Sequence, residues 1–208
     1  MFTCAVPFQL VCSFLEIFEL KKLIQEIRKC TVCKEHLSAG VNPVISVHPN
    51  SKIAIIGQAP GIKVHRSGIP WDDKSGERLR EWMNVDDETF YNPENFALVP
   101  MGFCYPGKGK TGDLPPRKEC APLWHNRLFT EMPKIELVLL IGSYAQKHYL
   151  KDKGKRTLTE TVQNFESYVP KWMPLPHPSL RNNIWLKKNP WFVLDLVPIL
   201  QSLVKKHL

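Results

Sequence analysis

No apolar run in these 208 residues approaches the roughly 20 that a membrane-spanning helix needs, so no membrane span is expected. Internal repeats and low-complexity tracts are also missing. The apolar amino end, Met1 to Phe18, has no basic residue ahead of its apolar stretch and no clear small-residue cleavage site. It therefore does not read as a signal peptide. Residues 1–18 are expected to form an extension ahead of a single domain at 19–208, in a monomeric cytoplasmic protein. Without export, the six cysteines are reduced thiols or metal ligands rather than a disulfide framework. Acidic residues are also in short supply. Twenty stand against 28 lysines and arginines, for a net charge of +8, and that balance favours a polyanionic partner. Proline is abundant by contrast: there are 18, clustered in 100–122 and 170–178, which implies long shaped connections.

The chain is organised around Ile53 to Gly76. Ile53-Ala54-Ile55-Ile56 is a continuous apolar run of the kind a doubly buried parallel strand shows. It breaks at Gly57, and Gln58-Ala59-Pro60-Gly61 cannot continue it, because Pro60 has no amide to donate. A strand that ends in such a turn delivers its next residues to the carboxyl edge of a sheet, where open α/β proteins bind ligands. Further strands are expected at Phe96–Pro100, Glu136–Gly142 and Trp172–Pro176. Helices are expected over Glu16–Lys29, Lys74–Met83, Asp86–Phe90, Cys120 to about Glu131, Ser143–Leu150 with Ser143 as N-cap, a short one from Thr157, and Asn189–Leu208. This alternation predicts a mostly parallel sheet with helices on both faces.

Cys30 and Cys33 form a CxxC directly after the first helix, a spacing that aims two sulfurs at one metal from a single turn. Fifteen residues separate Cys104 from Cys120. Taken singly, such cysteines read as buried core thiols. As a set of four thiolates they suit an iron–sulfur cluster or zinc.

Gly57-Gln58-Ala59-Pro60-Gly61, then Gly68-Ile69-Pro70-Trp71, then His177-Pro178-Ser179 resemble the motifs of the uracil-DNA glycosylase superfamily, and most of all its iron–sulfur family four. The resemblance spans most of residues 20–205 and implies a three-layer α/β/α sandwich with four central strands. It places Cys30, Cys33, Cys104 and Cys120 at the ligand positions of a four-iron cluster that clamps the amino-terminal helix to the long loop; zinc is the alternative. It also implies a DNA partner and hydrolysis of the N-glycosidic bond of a flipped, deaminated base such as uracil. His177 would stabilise the departing base, Gln58, Ala59 and Met101 would line its pocket, and Trp71 would stack on it. Ser179, Leu180 and Arg181 would meet DNA, Leu180 as an apolar wedge and Arg181 at phosphates together with Lys187 and Lys188.

The chain departs from the family at two points. Gln58 stands where the family has Glu, and Ile62-Lys63-Val64-His65 follows Pro-Gly where the family has acids. Asp72, Asp73 and Asp113 are the substitutes available to orient water, Asp72 being preferred because it follows Trp71, and His65 is a further base. The asparagine that reads uracil is also missing, with Pro100-Met101-Gly102-Phe103 in its place. The rival expectation is therefore a weak or inactive glycosylase-fold protein that binds DNA or a nucleobase.

Overall fold

A computed structural model describes residues 8–208, with side chains from Ile17 onward. Residues 1–7 of the expected extension lie outside it. From Phe8 the chain is already helical, and α1 (Phe8–Arg28) continues through the expected boundary at 18/19. None of the described helices is long and apolar enough to cross a membrane.

Four short strands form the centre: β1 (Ile53–Ile56), β2 (Phe96–Leu98), β3 (Leu137–Ile141) and β4 (Trp172–Leu175). They lie in the order β2-β1-β3-β4 and every pairing is parallel, with Ile53 opposite Phe96 and Leu137, and Val138 opposite Trp172. Side chains alternate across a strand, so each strand feeds two cores. Ala54, Ile56, Val138 and Leu140 face one layer with Leu20, Leu23 and Ile27 of α1 and with α5 (Cys120–Thr130). Ile53, Ile55, Leu137 and Leu139 face the other, with α3 (Lys74–Met83) and the carboxyl-terminal helix. This is the three-layer α/β/α arrangement expected. Each fully buried Leu or Ile contributes about 1.5–3 kcal/mol, so the part of α1 whose side chains are described is held mainly by three residues of one stripe.

The remaining helices are α2 (Ile62–Ser67), α4 (Asp87–Tyr91), α6 (Gly142–Leu150), α7 (Leu158–Gln163), α8 (Asn183–Lys188) and α9 (Val197–His207). Three expectations need correction. Ser143 does not cap α6, which begins at Gly142 directly from β3 with Ile141 in the cap position. The tail is not one helix from Asn189: a wide π-helical turn, Phe192–Leu196, precedes α9. Residues 62–67, which lie outside every expected helix and strand, form α2. Thr157 does open α7, through a reciprocal capping box with Glu160.

A polar knot sits inside the first core. His125 is 3 % exposed, with Nε2 donating to the Pro100 carbonyl at 3.1 Å and Nδ1 accepting from the Tyr149 hydroxyl at 2.6 Å. Phe103 stacks on its ring. Burial pushes the His125 pKa down from 6.5 to about 4, opposed by the Pro100 hydrogen bond and assisted by nearby His148. The unfolded chain therefore binds this proton where the folded chain does not. Stability is full above pH 6.5 and falls as the pH drops towards 4, by about 3 kcal/mol for this shift. A series of urea midpoints from pH 7 to 4.5 should decline accordingly, and a flat series would show that the imidazole is not held neutral.

Candidate active site at the carboxyl edge of the sheet

The ends of β1, β2 and β4 converge on a cleft of about 420 Å³. The β1 turn, Gly57 to Gly61, forms its floor, Pro100 after β2 forms one wall, and His177 after β4 stands opposite. Asp73, Asp113, Ser179, Arg181 and Asn182 complete the polar lining. Among the described residues the amides of Gln58 and Ala59 have no backbone carbonyl partner, whereas the carbonyls of Gly57 and Gln58 accept from Met101 and Gly102 at 2.9 and 3.0 Å. The floor thus holds two unpaired backbone donors.

Trp71 has a left-handed backbone, φ 60°, a conformation that costs a bulky residue about 1–3 kcal/mol and persists only when the surroundings impose it. Its carbonyl accepts from the Asp73 amide at 2.9 Å. Gly76 lies so close beneath it that a Cβ would fall 1.8 Å from the Trp71 oxygen. The indole rests on Gly57, where a Cβ would come within 2.7 Å of Cζ2, and its ring lies 5.9 Å from that of His177 at 32°. Trp71 and His177 are therefore brought together at the cleft, as are Gln58 and Ala59.

His177 is locked by its own loop. Its Nδ1 accepts the Ser179 amide at 3.2 Å, so the neutral ring carries its proton on Nε2. That nitrogen has no hydrogen-bond partner among the described residues and opens onto the cleft. Burial lowers the His177 pKa below 6.5, with Asp73 pulling the other way. Asn182 donates to the His177 carbonyl at 2.7 Å, and Arg78 of α3 donates to the Ser179 carbonyl at 3.3 Å and to Asn183 Oδ1 at 2.9 Å. This bracing leaves Leu180 projecting, 53 % exposed. Lys187 and Lys188 are exposed on α8. The Arg181 guanidinium is exposed and donates to the Thr111 carbonyl at 3.0 Å.

The two adjacent acids diverge. Asp73 caps α3, its Oδ1 accepting from Ser75 and Gly76 at 2.9 Å each, and it reaches the cleft. Asp72 lies outside the cleft lining and pairs with Lys63 at 3.5 Å. The preference for Asp72 is not supported by this placement. Met101 also lies outside: its side chain packs in the first core and lines a separate groove with Arg117 and Tyr144, and Pro100 takes its place in the cleft. His65 points away on α2, with Nε2 3.1 Å from the Ala39 carbonyl and Nδ1 buried without a partner. Sequence reasoning missed Pro100 and the capping role of Asp73; the latter was signalled by Asp-Lys-Ser-Gly-Glu ahead of an apolar period.

Cys30, Cys33, Cys104 and Cys120 all line one small cavity beneath α1, together with Ile27, Phe103 and Arg117. Three of the four are buried, and none is in a disulfide. Burial raises the thiol pKa of Cys33 and Cys104, and that of Cys120 to about 12, the neighbouring cysteines adding to each. Among the described residues no group of three or more His, Cys, Asp or Glu is gathered tightly enough to hold a single metal ion.

Two comparisons with known proteins bear on this arrangement. A family model described as "Uracil DNA glycosylase superfamily" matches residues 45–201. A Type-4 uracil-DNA glycosylase from Thermotoga maritima is 26% identical over 195 residues, covering 91% of this chain and 97% of the relative.

Proposed function

Because the chain belongs to the uracil DNA glycosylase superfamily, we propose that it is a DNA-repair hydrolase that receives an extrahelical deaminated base in this cleft and cuts its N-glycosidic bond. One observation carries the reading: Trp71 and the Nε2–H of His177 meet over a floor of backbone amides. A planar base would stack on the indole, a contact worth ~1–3 kcal/mol. The bond breaks towards a cationic sugar and an anionic base. A neutral imidazole N–H and two backbone amides fixed in a partly dry cleft stabilise that negative charge without reorganising. Leu180 would fill the gap in the duplex, and Lys187 and Lys188 would hold phosphates.

The four-cysteine cavity fits an iron–sulfur cluster. The donors are all thiols and all four line one small cavity, a set that suits a four-iron cluster, with zinc as the alternative. Bound there, such a cluster would tie the end of α1 to the loops around Cys104 and Cys120. It stands apart from the cleft and would supply structure, not chemistry.

The rival reading, a binder without activity, draws on Pro100 in place of a base-reading amide. Purified protein should generate abasic sites in at least one duplex of a panel carrying uracil, hypoxanthine or xanthine. Tight binding to these duplexes with no abasic product would give the case to the rival.

A further inference from the structure

The family's acidic residues are missing from the β1 turn, and Gln58, an amide, cannot take a proton. A hairpin at 107–114 brings another acid to the same place. Its strands are closed by hydrogen bonds from Gly109 to the Gly112 carbonyl at 2.6 Å and from Leu114 to the Gly107 carbonyl at 2.9 Å. Arg181 ties its tip to the His177 loop through the Thr111 carbonyl, lying so close over Gly112 that a Cβ there would meet Nη1 at 2.0 Å. Asp113, at the base of this hairpin, enters the cleft. Its Oδ1 accepts from the Tyr105 hydroxyl at 3.3 Å. Its Oδ2 comes within 3.8 Å of the position a Cβ would take on Gly61, and the Oδ2 of Asp73 comes within 3.9 Å of the same position.

We propose that Asp113 is the carboxylate that orients and deprotonates the attacking water, in place of the acid absent from the β1 turn, and that Arg181 positions it through the hairpin. The inference rests on the glycosylase reading. The other two acids already hold structure, although Asp73 Oδ2 stays open beside Asp113. Asp72 is paired with Lys63 outside the cleft, and Asp73 spends Oδ1 on the α3 amides. Asp113 keeps one oxygen fixed by Tyr105 and the other free. In the reaction the water oxygen bonds to C1′ of the sugar and its proton passes to Asp113 Oδ2. The C1′–N bond breaks with its electron pair leaving on the base, which His177 Nε2–H receives. The base then takes a proton from solvent, and Asp113 returns its own.

The same carboxylate faces the positive charge that develops on the sugar, which gives a readout independent of turnover. Duplexes carrying a pyrrolidine abasic-site analogue, which is cationic, or its neutral tetrahydrofuran counterpart would be titrated against metal-loaded full-length protein. Wild type should prefer the cationic analogue. Asp113→Asn should lose that preference by roughly tenfold while keeping its affinity for the neutral one, and Asp113→Glu should recover part of it. Single-turnover excision by Asp113→Asn should fall by ~10²-fold or more. An undiminished preference in Asp113→Asn, or an equal loss for both analogues, overturns the assignment. Excision by wild type, run alongside, separates the two readings. A wild type that cuts a lesion while Asp113→Asn keeps rate and preference overturns the Asp113 role alone; one that cuts nothing and shows no charge preference overturns both.

Discussion

Replacing His177 by alanine should lower single-turnover excision by ~10²–10³, about 3–4 kcal/mol, while leaving affinity for duplex DNA nearly unchanged. The imidazole does not hold the cleft together: its loop is braced by Asn182 and by Arg78, and its ring makes one hydrogen bond, to Ser179. What would be lost is the donor proposed to meet the departing base. The pH profile adds a second test. Because burial lowers the His177 pKa from its ordinary value, any change in rate that comes from charging the ring should appear at a lower pH than an ordinary histidine would give. A rate that climbs on acidification with the titration of a normal histidine would mean that a charged imidazole does the work. A His177→Ala protein that cuts at the wild-type rate would remove the residue from the chemistry.

The second large effect concerns the cysteines. Protein prepared without air should be coloured, and Cys120→Ala should lose the visible absorbance and unfold far more readily. Metal terms in small structural sites run to ~10 kcal/mol, well beyond the ~1–3 kcal/mol of an ordinary side-chain truncation. Loosening should begin at α1, whose described grip on the body is the stripe Leu20, Leu23 and Ile27 followed by Cys30 and Cys33. Hydrogen exchange along α1 in Cys120→Ala and wild type would locate it. A colourless protein with one zinc per chain would replace the iron cluster by zinc, and a metal-free protein of unchanged stability would make the four cysteines ordinary core.

The strands were legible because all four have both faces covered: a residue run that is apolar without period leaves few other options. The order of motifs along the chain likewise located Trp71 and His177, since parallel strands deliver their carboxyl ends to one edge. Short polar elements were not legible. In α2 only Val64 is buried, and six residues that include Lys63, His65 and Arg66 show no stripe to detect. Adjacent residues were the other failure. Asp72 and Asp73 differ by one position, yet one is turned to Lys63 and the other to the α3 amides. Pro100 and Met101 likewise line different cavities, because β2 stops at Leu98 and the chain bends from Met101 onward. Assigning such neighbours requires the direction of the backbone, which spacing alone does not carry.

The left-handed backbone of Trp71 has a consequence for how a lesion would be found. The indole rests on Gly57 beside His177, and its own carbonyl sits against Gly76, so a platform for a stacked base would exist before any nucleic acid arrives. A receptacle assembled in advance has no folding step to spend on recognition. Search would then be governed by the duplex: a base that leaves its partner often is caught often. Discrimination between sites would follow the opening frequency of each pair, and a lesion in a mismatch would be captured sooner than the same lesion in a well-matched pair.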